Sequence, residues 1–290
     1  MKNSKSSRPN PNKVNSSLLF FLYLALYKDY LFFLVLLILV VLFALVAWSY
    51  TQEAFDNEKS NSPPIPLNIF STWHTKDLPP KMAENVESLQ KKNPEFKHYL
   101  YDEQECRDFI QTHFDKKVLD AYNCLVPKAF KADLWRYCVL YVHGGIYMDI
   151  KFNTVDGFKL IQLTDKEYFG RDLDGSGRGI LNGFIVCKPK NAKCWSCIQK
   201  IIENVEQKYY GDTALSPTGP NLLKQFFTEE EIQNMEISFE GEDSCPTQTC
   251  LFYKGKAAIY YYKEYRDEQS QSKEPSYFDL WSLRNIYSCQ

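Results

Sequence analysis

The chain has 290 residues, of which 44% are hydrophobic and 24% are charged, and its formal net charge is −2. This composition is typical of a globular protein with one or two domains and excludes a disordered or fibrous chain. The near-neutral charge, together with the lack of a basic stripe interleaved with aromatic residues, argues against nucleic acid as a partner.

The hydrophobic residues are concentrated near the N-terminus. Residues 30–48, YLFFLVLLILVVLFALVAW, contain no charge and have the length that a helix rising about 1.5 Å per residue needs to cross a bilayer core. Cleaved signal peptides have shorter apolar regions, of about 7–15 residues, and end in a small-residue cleavage site. This run instead ends in Trp48 and Tyr50, which suit the membrane interface. We therefore predict a transmembrane helix over residues 30–50.

Charges on either side of the apolar run predict its orientation. Four basic residues and no acidic residue lie in residues 1–13, whereas the run is followed by Glu53, Asp56 and Glu58. Because positive flanks stay in the cytoplasm, residues 1–29 are expected to be a cytoplasmic segment of a single-pass protein. Residues 51–64 are polar and are expected to form a stem, which leaves residues 65–290 as a folded domain facing the lumen or the exterior.

Strands and helices are predicted to alternate along the folded domain. Hydrophobic spacing and the positions of Pro, Gly and Asn predict strands at 67–73, 96–101, 146–150, 183–187 and 257–262, and helices at 80–92, from Asp102 onward with a capping box to Glu105, at 127–142 and at 192–209. Such alternation favours an α/β fold with a mixed, mostly parallel sheet. Sheets of this type bind ligands beyond the carboxyl ends of their strands.

All nine cysteines follow the apolar run. Their position permits disulfides in an oxidising compartment, and the odd number leaves at least one cysteine free or paired with another chain. Cys245 and Cys250 bracket a Pro-containing turn and are candidates for a local disulfide. Cys194 and Cys197 have redox or zinc spacing, but no second CxxC or His pair accompanies them, so we expect buried or paired cysteines there.

The most informative segment is KADLWRYCVLYVHGGIYMDIK, residues 131–151. It predicts a helix ended by Gly144-Gly145, then a short strand with Asp149 at its end. Asp133 and Arg136 are three residues apart and share a helix face; in isolation, such a pair is an ordinary surface ion pair. Because their helix leads directly to Asp149, two carboxylates and a guanidinium converge on one sheet edge. Such groups suit sugar hydroxyls and a diphosphate.

The segment from Lys131 to Ile150 resembles the core of glycosyltransferase family 32, whose members carry a DXD sugar-binding motif. Other segments resemble family motifs in the same order: IPLNIFSTWHTKDLP, NPEFKHYLYDEQ, LNGFIVCKPKN and SPTGPNLL. The resemblance implies a GT-A-like fold that transfers a hexose from a UDP- or GDP-sugar to a glycan or glycolipid hydroxyl, with retention. Mannosyltransferases belong to this family, and a Golgi or ER-derived membrane is the location that the resemblance implies.

The same resemblance assigns roles to individual residues. It implies catalytic roles for Asp133, Arg136 and Asp149, with Asp133 accepting hydrogen bonds from sugar hydroxyls, and Lys151 is a further catalytic candidate beside them. Trp73 would contact the nucleotide base, or alternatively pack in the core. The donor-binding residues that it implies are Thr72, Trp73, Asp133, Arg136, Asp149, Asn182, Thr218 and Gly219.

Lys151 departs from the family pattern. The last Asp of a DXD motif binds Mn²⁺ or Mg²⁺, which take oxygen ligands that an ammonium lacks. Three outcomes are open. Lys151 supplies the positive charge itself, or the metal is held by Asp149, the donor phosphates and another carboxylate such as Asp172 or Asp174, or the protein binds a nucleotide sugar or carbohydrate without catalysis.

Overall fold

The computed structural model describes residues 27, 28, 30, 34, 37–49, 64–172, 179–241, 243–247, 249–270 and 275–289. The chain divides into two compact units, Met1–Ser62 and Pro63–Gln290. In the first unit, residues 37–49 are helical. Within the described part of the chain, no helix is both long and apolar enough to cross a bilayer. The transmembrane helix predicted at 30–50 is only partly described, and nearly all of the stem predicted at 51–64 lies outside the described residues.

The second unit contains the strands and helices that carry the candidate site. Its strands are β1 (Asn68–Thr72), β2 (Lys97–Tyr101), β3 (Gly145–Met148), β4 (Phe152–Thr154), β5 (Tyr168–Asp172), β6 (Gly179–Cys187), β7 (Ile237–Ser238), β8 (Cys250–Tyr253) and β9 (Lys256–Tyr261). Its α-helices are α1 (Pro80–Lys92), α2 (Glu103–His113), α3 (Lys116–Cys124), α4 (Lys128–His143), α5 (Ala192–Glu206), α6 (Pro220–Lys224), α7 (Glu229–Gln233), α8 (Tyr265–Ser270) and α9 (Tyr277–Ser282), with a 3₁₀ turn at Leu160–Leu163.

The described strands form one mixed sheet in the order β2-β1-β3-β6-β5-β7-β8-β9-β4. Three neighbouring pairs are parallel, namely β1 with β2, β1 with β3 and β5 with β7, and the other five are antiparallel. The predicted mixed α/β class is confirmed, but the expectation of a mostly parallel sheet is wrong. The cause lies in the second half, where short connections such as the turn between β8 and β9 join antiparallel neighbours without a crossover helix.

Hydrophobic residues cover both faces of the sheet. Along β3, Tyr147 belongs to the cluster that contains α4, whereas its neighbours Ile146 and Met148 belong to a second cluster. This alternation is the period of two expected of a strand that is buried on both sides. Helix α4 is buried from Leu134 to Leu140, as expected for a helix that is apolar on all sides. The charged residues Asp133 and Arg136 of α4 therefore lie in the protein interior.

The turn between α4 and β3 requires glycine. Gly144 and Gly145 have φ of 62° and 108°, in the left-handed region that other residues rarely adopt. A Cβ on Gly144 would lie 2.5 Å from Pro189, and one on Gly145 would lie 2.6 Å from the Asn68 carbonyl oxygen. The predicted Gly-Gly termination of α4 is confirmed, and it fixes the strand that leads to Asp149 beside β1.

Two disulfides are present in this unit. The bond between Cys245 and Cys250 confirms the predicted local pairing. A second bond, between Cys124 and Cys289, joins the end of α3 to the C-terminal segment and was not predicted, because 165 residues separate its partners. Cys194 and Cys197 are free and buried, so the expectation of buried cysteines there is confirmed.

Candidate active site

The carboxyl ends of three parallel strands lie at one edge of the sheet. In β1 and β3, Ile69 pairs with Ile146 and Phe70 with Tyr147. Continuation of this register sets Thr72, the last residue of β1, beside Asp149. Thr72 also pairs with Tyr101, the last residue of β2. Parallel sheets bind ligands at this edge, and the candidate site is built there.

Asp133 and Arg136 of α4 form a buried ion pair, which we call the inner pair. Arg136 Nη2 lies 3.1 Å from Asp133 Oδ1. Asp133 Oδ1 also accepts a hydrogen bond from Asn182 Nδ2 at 2.8 Å, and Oδ2 accepts one from Thr218 Oγ1 at 2.7 Å. The two charged residues are only 7% and 5% exposed. The alternative of an ordinary surface ion pair is therefore wrong.

Asp149 and Lys151 form a second ion pair, which we call the outer pair. Lys151 Nζ lies 2.8 Å from Asp149 Oδ2, and Asp149 Oδ1 accepts a hydrogen bond from the Tyr147 hydroxyl at 2.9 Å. The side chains of Asp149 and Lys151 are 21% and 19% exposed, compared with 11% and 6% for Asp133 and Arg136. A ligand arriving at the sheet edge would therefore meet the outer pair more readily.

The inner and outer pairs are joined through Arg136. Its Nη2 lies 3.6 Å from Asp149 Oδ1, and its Nη1 donates a hydrogen bond to the Asn182 carbonyl oxygen at 2.7 Å. The guanidinium also lies over the Tyr147 ring, 4.5 Å from its centroid. Asp133, Arg136, Asp149 and Lys151 thus form a line of alternating charges, which we call the charge row.

Gly183 of β6 makes room for the charge row. Its carbonyl oxygen accepts a hydrogen bond from the Asp149 backbone N–H at 2.8 Å. A Cβ on Gly183 would lie 2.5 Å from Asp149 Oδ2. Neither Gly183 nor Tyr147 was among the predicted site residues. Gly183 begins the predicted strand 183–187 but lies inside the observed β6. A glycine in a strand is the signal that could have identified it, since such glycines mark close approaches.

The two carboxylates of the charge row have opposite pKa shifts. Burial raises the pKa of Asp133 above its ordinary value, although Arg136 opposes the shift. Burial also acts to raise the pKa of Asp149, but the charges of Lys151 and Arg136 outweigh it and lower that pKa. Burial acts to lower the pKa of Lys151, and the attraction of Asp149 outweighs it, so that pKa is raised. The outer pair is therefore ionised at neutral pH.

The remaining predicted site residues occupy different positions. The Thr72 hydroxyl donates to the Tyr101 carbonyl oxygen at 2.9 Å, which connects the ends of β1 and β2. Trp73 is partly buried and packs against a small cluster that includes Tyr262 and Tyr265, as the core-packing alternative predicted. Gly219 adjoins Asp133, because a Cβ there would lie 3.6 Å from Asp133 Oδ2.

Only one of the two carboxylates proposed as substitute metal ligands lies in the described residues. Asp172 is the last residue of β5 and pairs with Gly179, whereas Asp174 lies outside the described residues. Across the described ranges, no group of three or more His, Cys, Asp or Glu residues could hold a metal ion.

A polar cavity of about 340 Å³ opens at the ends of β1 and β2. His74, which lines the cavity, directly follows Trp73 in the chain. Lys131, also in the lining, forms an ion pair of 2.6 Å with Glu103. Its lining residues are His74, Thr75, Asp102, Glu103, Gln104, Arg107, Tyr122, Asn123 and Lys131. The volume is within the range of small-molecule sites, about 300–1,000 Å³.

Comparison with known proteins identifies the family. Residues 79–167 match the model described as a glycosyltransferase sugar-binding region containing a DXD motif. The chain is 33% identical over 207 residues to an uncharacterised glycosyltransferase of Acanthamoeba polyphaga mimivirus, covering 68% of this chain and 78% of that protein. At residues 149–151 this chain has Asp-Ile-Lys, with Lys151 in place of the second aspartate of the motif.

Shorter matches connect the chain to fungal enzymes. It is 33% identical over 105 residues, 34% of this chain, to the initiation-specific alpha-1,6-mannosyltransferase of Candida albicans. It is 32% identical over 101 residues, 35% of this chain, to inositol phosphoceramide mannosyltransferase 3 of Schizosaccharomyces pombe. The matched region spans 27% of each of these two relatives.

Solved structures give a weaker likeness. The PaToxG glycosyltransferase superposes with a TM-score of 0.41 at 18% identity, covering 56% of this chain and 67% of that one. The UDP-bound glycosyltransferase domain of the YGT toxin gives 0.36 at 10% identity, covering 60% and 66%. The extended match to the mimivirus protein and the matched sugar-binding region confirm the resemblance, and the chain belongs to the DXD-containing sugar-binding glycosyltransferase family.

Proposed function

We propose that the chain transfers a hexose from a nucleoside-diphosphate sugar to a hydroxyl acceptor. The observation that carries this proposal is the charge row at the carboxyl edge of the sheet. Carboxylates accept hydrogen bonds from sugar hydroxyls, and guanidinium and ammonium groups bind diphosphate oxygens. Both kinds of group lie side by side here, as a donor with a sugar on one side and a diphosphate on the other requires.

Within this proposal the outer pair contacts the donor, and the inner pair fixes the geometry of the bound donor. A carboxylate oxygen has about two acceptor positions. Asp133 Oδ1 already contacts Asn182 and Arg136, whereas Oδ2 accepts from Thr218. The space that a side chain at Gly219 would fill lies beside Oδ2, since a Cβ there would be 3.6 Å away, and we place the sugar hydroxyl that donates to its second position there. The nucleoside would occupy the polar cavity beyond Trp73.

The relatives favour a particular sugar. The fungal proteins that match this chain are named as mannosyltransferases, so mannose is the hexose we propose, carried by UDP or GDP, with a glycan or glycolipid as acceptor and with retention of configuration. We further propose a single-pass membrane protein with a cytoplasmic N-terminus and the domain in the Golgi or ER-derived lumen or at the exterior. The uncharged run at 30–48 and the two disulfides support this location.

A thermal-shift panel on the full-length chain tests the proposal. UDP- and GDP-sugars are compared with free mannose and inorganic phosphate as controls. A donor at 100 times its Kd adds about 2.7 kcal/mol to the unfolding free energy. For a domain of this size, that raises Tm by roughly 5–10 °C. Stabilisation by one nucleotide class, with release of its nucleoside diphosphate when acceptor is added, supports the proposal; no shift with any donor contradicts it.

A further inference from the structure

Lys151 is held in a fixed position at the end of the charge row. Its ammonium lies 2.8 Å from Asp149 Oδ2, 4.9 Å from the centroid of the Tyr261 ring and 5.4 Å from that of Phe152. Its carbonyl oxygen accepts a hydrogen bond from the Tyr262 N–H at 3.0 Å. The backbone and two aromatic rings therefore locate the cation, and it needs no ligand to place it.

The residues around Lys151 do not fit a divalent cation. The family implies Mn²⁺ or Mg²⁺ on the last aspartate of the DXD motif, and Mg²⁺ requires near-octahedral oxygen ligands at about 2.0–2.1 Å. In this chain, Asp149 Oδ1 accepts from the Tyr147 hydroxyl and Oδ2 lies 2.8 Å from the Lys151 ammonium, so a divalent cation on this carboxylate would lie against another positive charge. The described part of the chain brings no set of three acidic, His or Cys side chains together as a metal site.

The formal charges lead to the same conclusion. With all four groups ionised, Asp133 and Asp149 contribute −2 and Arg136 and Lys151 contribute +2, so the charge row sums to zero. An aspartate at position 151 would change the sum to −2, which one divalent cation would neutralise. The ammonium of Lys151 therefore makes the charge row neutral without a metal. With an aspartate at this position, a divalent cation would be needed to make it neutral.

We propose that Lys151 takes the place of the divalent cation, so that this chain uses its donor without a metal. The inference rests on the proposed function. As the bond between the anomeric carbon and the diphosphate oxygen breaks, its electron pair stays on that oxygen, and the Lys151 ammonium donates a hydrogen bond to it. The acceptor oxygen forms the new bond to the anomeric carbon, and its proton leaves on the diphosphate. Lys151 is a fixed charge that stabilises the leaving group, and it neither gains nor loses a proton.

The test combines two readouts on the full-length chain, each in excess EDTA and in Mn²⁺. The first is turnover of the donor, and the second is the Tm shift caused by the corresponding nucleoside diphosphate. The wild type is expected to change less than about twofold in turnover between EDTA and Mn²⁺, and its Tm shift is expected to be unaffected. Turnover that EDTA abolishes and Mn²⁺ restores overturns the inference.

Substitutions at position 151 sharpen the test. Lys151→Asp restores the DXD pattern, so we expect turnover to fall about 100-fold in EDTA, the size of effect of removing one charge-stabilising group, and to recover at least partly in Mn²⁺. Lys151→Met is expected to lose turnover in both conditions. Lys117→Asp is the matched control, because it makes the same charge change in the exposed first turn of α3, where an acidic residue is compatible with the helix dipole.

The outcomes separate this inference from the proposed function. Binding of the nucleoside diphosphate without turnover in either condition overturns the inference and leaves a donor-binding protein. Failure of every donor to bind or react contradicts the proposed function and the inference together. If Lys151→Asp does not fold, as judged by circular dichroism, the response of the wild type to EDTA decides alone.

Discussion

Asp133 and Asp149 differ in pKa because their surroundings differ. Burial dominates at Asp133, whereas two cations act on Asp149. The sequence predicted that Asp133, Arg136 and Asp149 converge, since a helix, a Gly-Gly turn and a short strand leave little freedom between them. It could not predict the contacts of Asn182 and Thr218 with Asp133, because their geometry depends on tertiary packing. It also did not reveal that the pair on α4 is buried.

The first residue-scale prediction concerns Asp133. Asp133→Asn removes the charge opposite the buried Arg136 and places an amide N–H₂ against the donors of Asn182 or Thr218. We expect the free energy of unfolding to fall by about 3–5 kcal/mol, as when one partner of a buried pair is removed. Urea unfolding at pH 7 measures it. Asp120→Asn, which breaks an exposed pair with Lys116, should cost below about 1 kcal/mol; equal costs would contradict burial of the inner pair.

The second residue-scale prediction concerns pH. Because the folded pKa of Asp149 is lowered, its stabilisation is present above the ordinary pKa of about 3.9 and is lost as the pH falls through the folded value. Lys151→Met removes the largest opposing charge, so the pKa of Asp149 rises in the variant. Its folded state then takes up a proton at a higher pH than the wild type does. The difference in unfolding free energy between wild type and variant should narrow from pH 7 to pH 4.

The matched control for this pH series is Lys117→Met. Lys117 is exposed in α3. The difference in unfolding free energy between the wild type and Lys117→Met should stay constant from pH 7 to pH 4. If the difference in unfolding free energy between the wild type and Lys151→Met is also constant over this range, the coupling of Lys151 to Asp149 is contradicted.

At the scale of elements, the first half of the domain follows its sequence closely. Strands β1 and β2 and helices α1 and α4 lie within a residue or two of the predicted bounds, and α2 begins directly after Asp102 as predicted. Pro79-Pro80, the Asp102 capping box and Gly144-Gly145 mark these helix ends in the sequence. The second half was less predictable. Strands β4 and β7 have three and two residues, too few to show a hydrophobic period, and their pairing depends on distant partners.

The element-scale prediction concerns the close approach of β6 to the residue that follows β3. In Gly183→Ala, the new Cβ would lie 2.5 Å from Asp149 Oδ2 and must displace that carboxylate. A misplacement of about 1 Å costs on the order of 100-fold in rate, so we expect kcat for donor turnover to fall about that much. Steady-state kinetics on the full-length chain measure this.

Gly157→Ala serves as the control for that variant. Gly157 has φ of +86° and no atom within 4 Å of an added Cβ, so the substitution costs about 1–2 kcal/mol of backbone strain without touching the charge row. It should lower Tm and leave kcat unchanged. Equal kcat values for Gly183→Ala and Gly157→Ala would contradict a role for Gly183 in placing Asp149.

For the whole molecule, the disulfides and the free cysteines make a combined prediction. Peptide mapping under non-reducing conditions should find Cys124 linked to Cys289 and Cys245 linked to Cys250. The other cysteines, Cys106, Cys138, Cys187, Cys194 and Cys197, are buried and should react with an alkylating reagent only after unfolding. A Cys194–Cys197 crosslink, or four free thiols at the positions of the two disulfides in protein purified without reductant, would contradict this pairing.

Loss of the long-range bond should also affect the stability of the domain. Cys289→Ser opens the link between α3 and the C-terminal segment, and loss of a native disulfide typically costs about 2–5 kcal/mol. Thermal unfolding compares it with Cys245→Ser, whose bond closes a separation of only five residues and should cost less. A larger cost for Cys245→Ser would contradict the importance of the C-terminal link.

The central claim is that the charge row binds and activates a nucleotide-sugar donor. It is tested most directly by the rate at which the full-length chain releases nucleoside diphosphate from the donor that stabilises it, in the wild type and in Asp149→Asn. We expect measurable release by the wild type and a rate at least about 100-fold lower in a folded Asp149→Asn variant. Equal rates in the two proteins, or no release by a wild type that binds the donor, would contradict the claim.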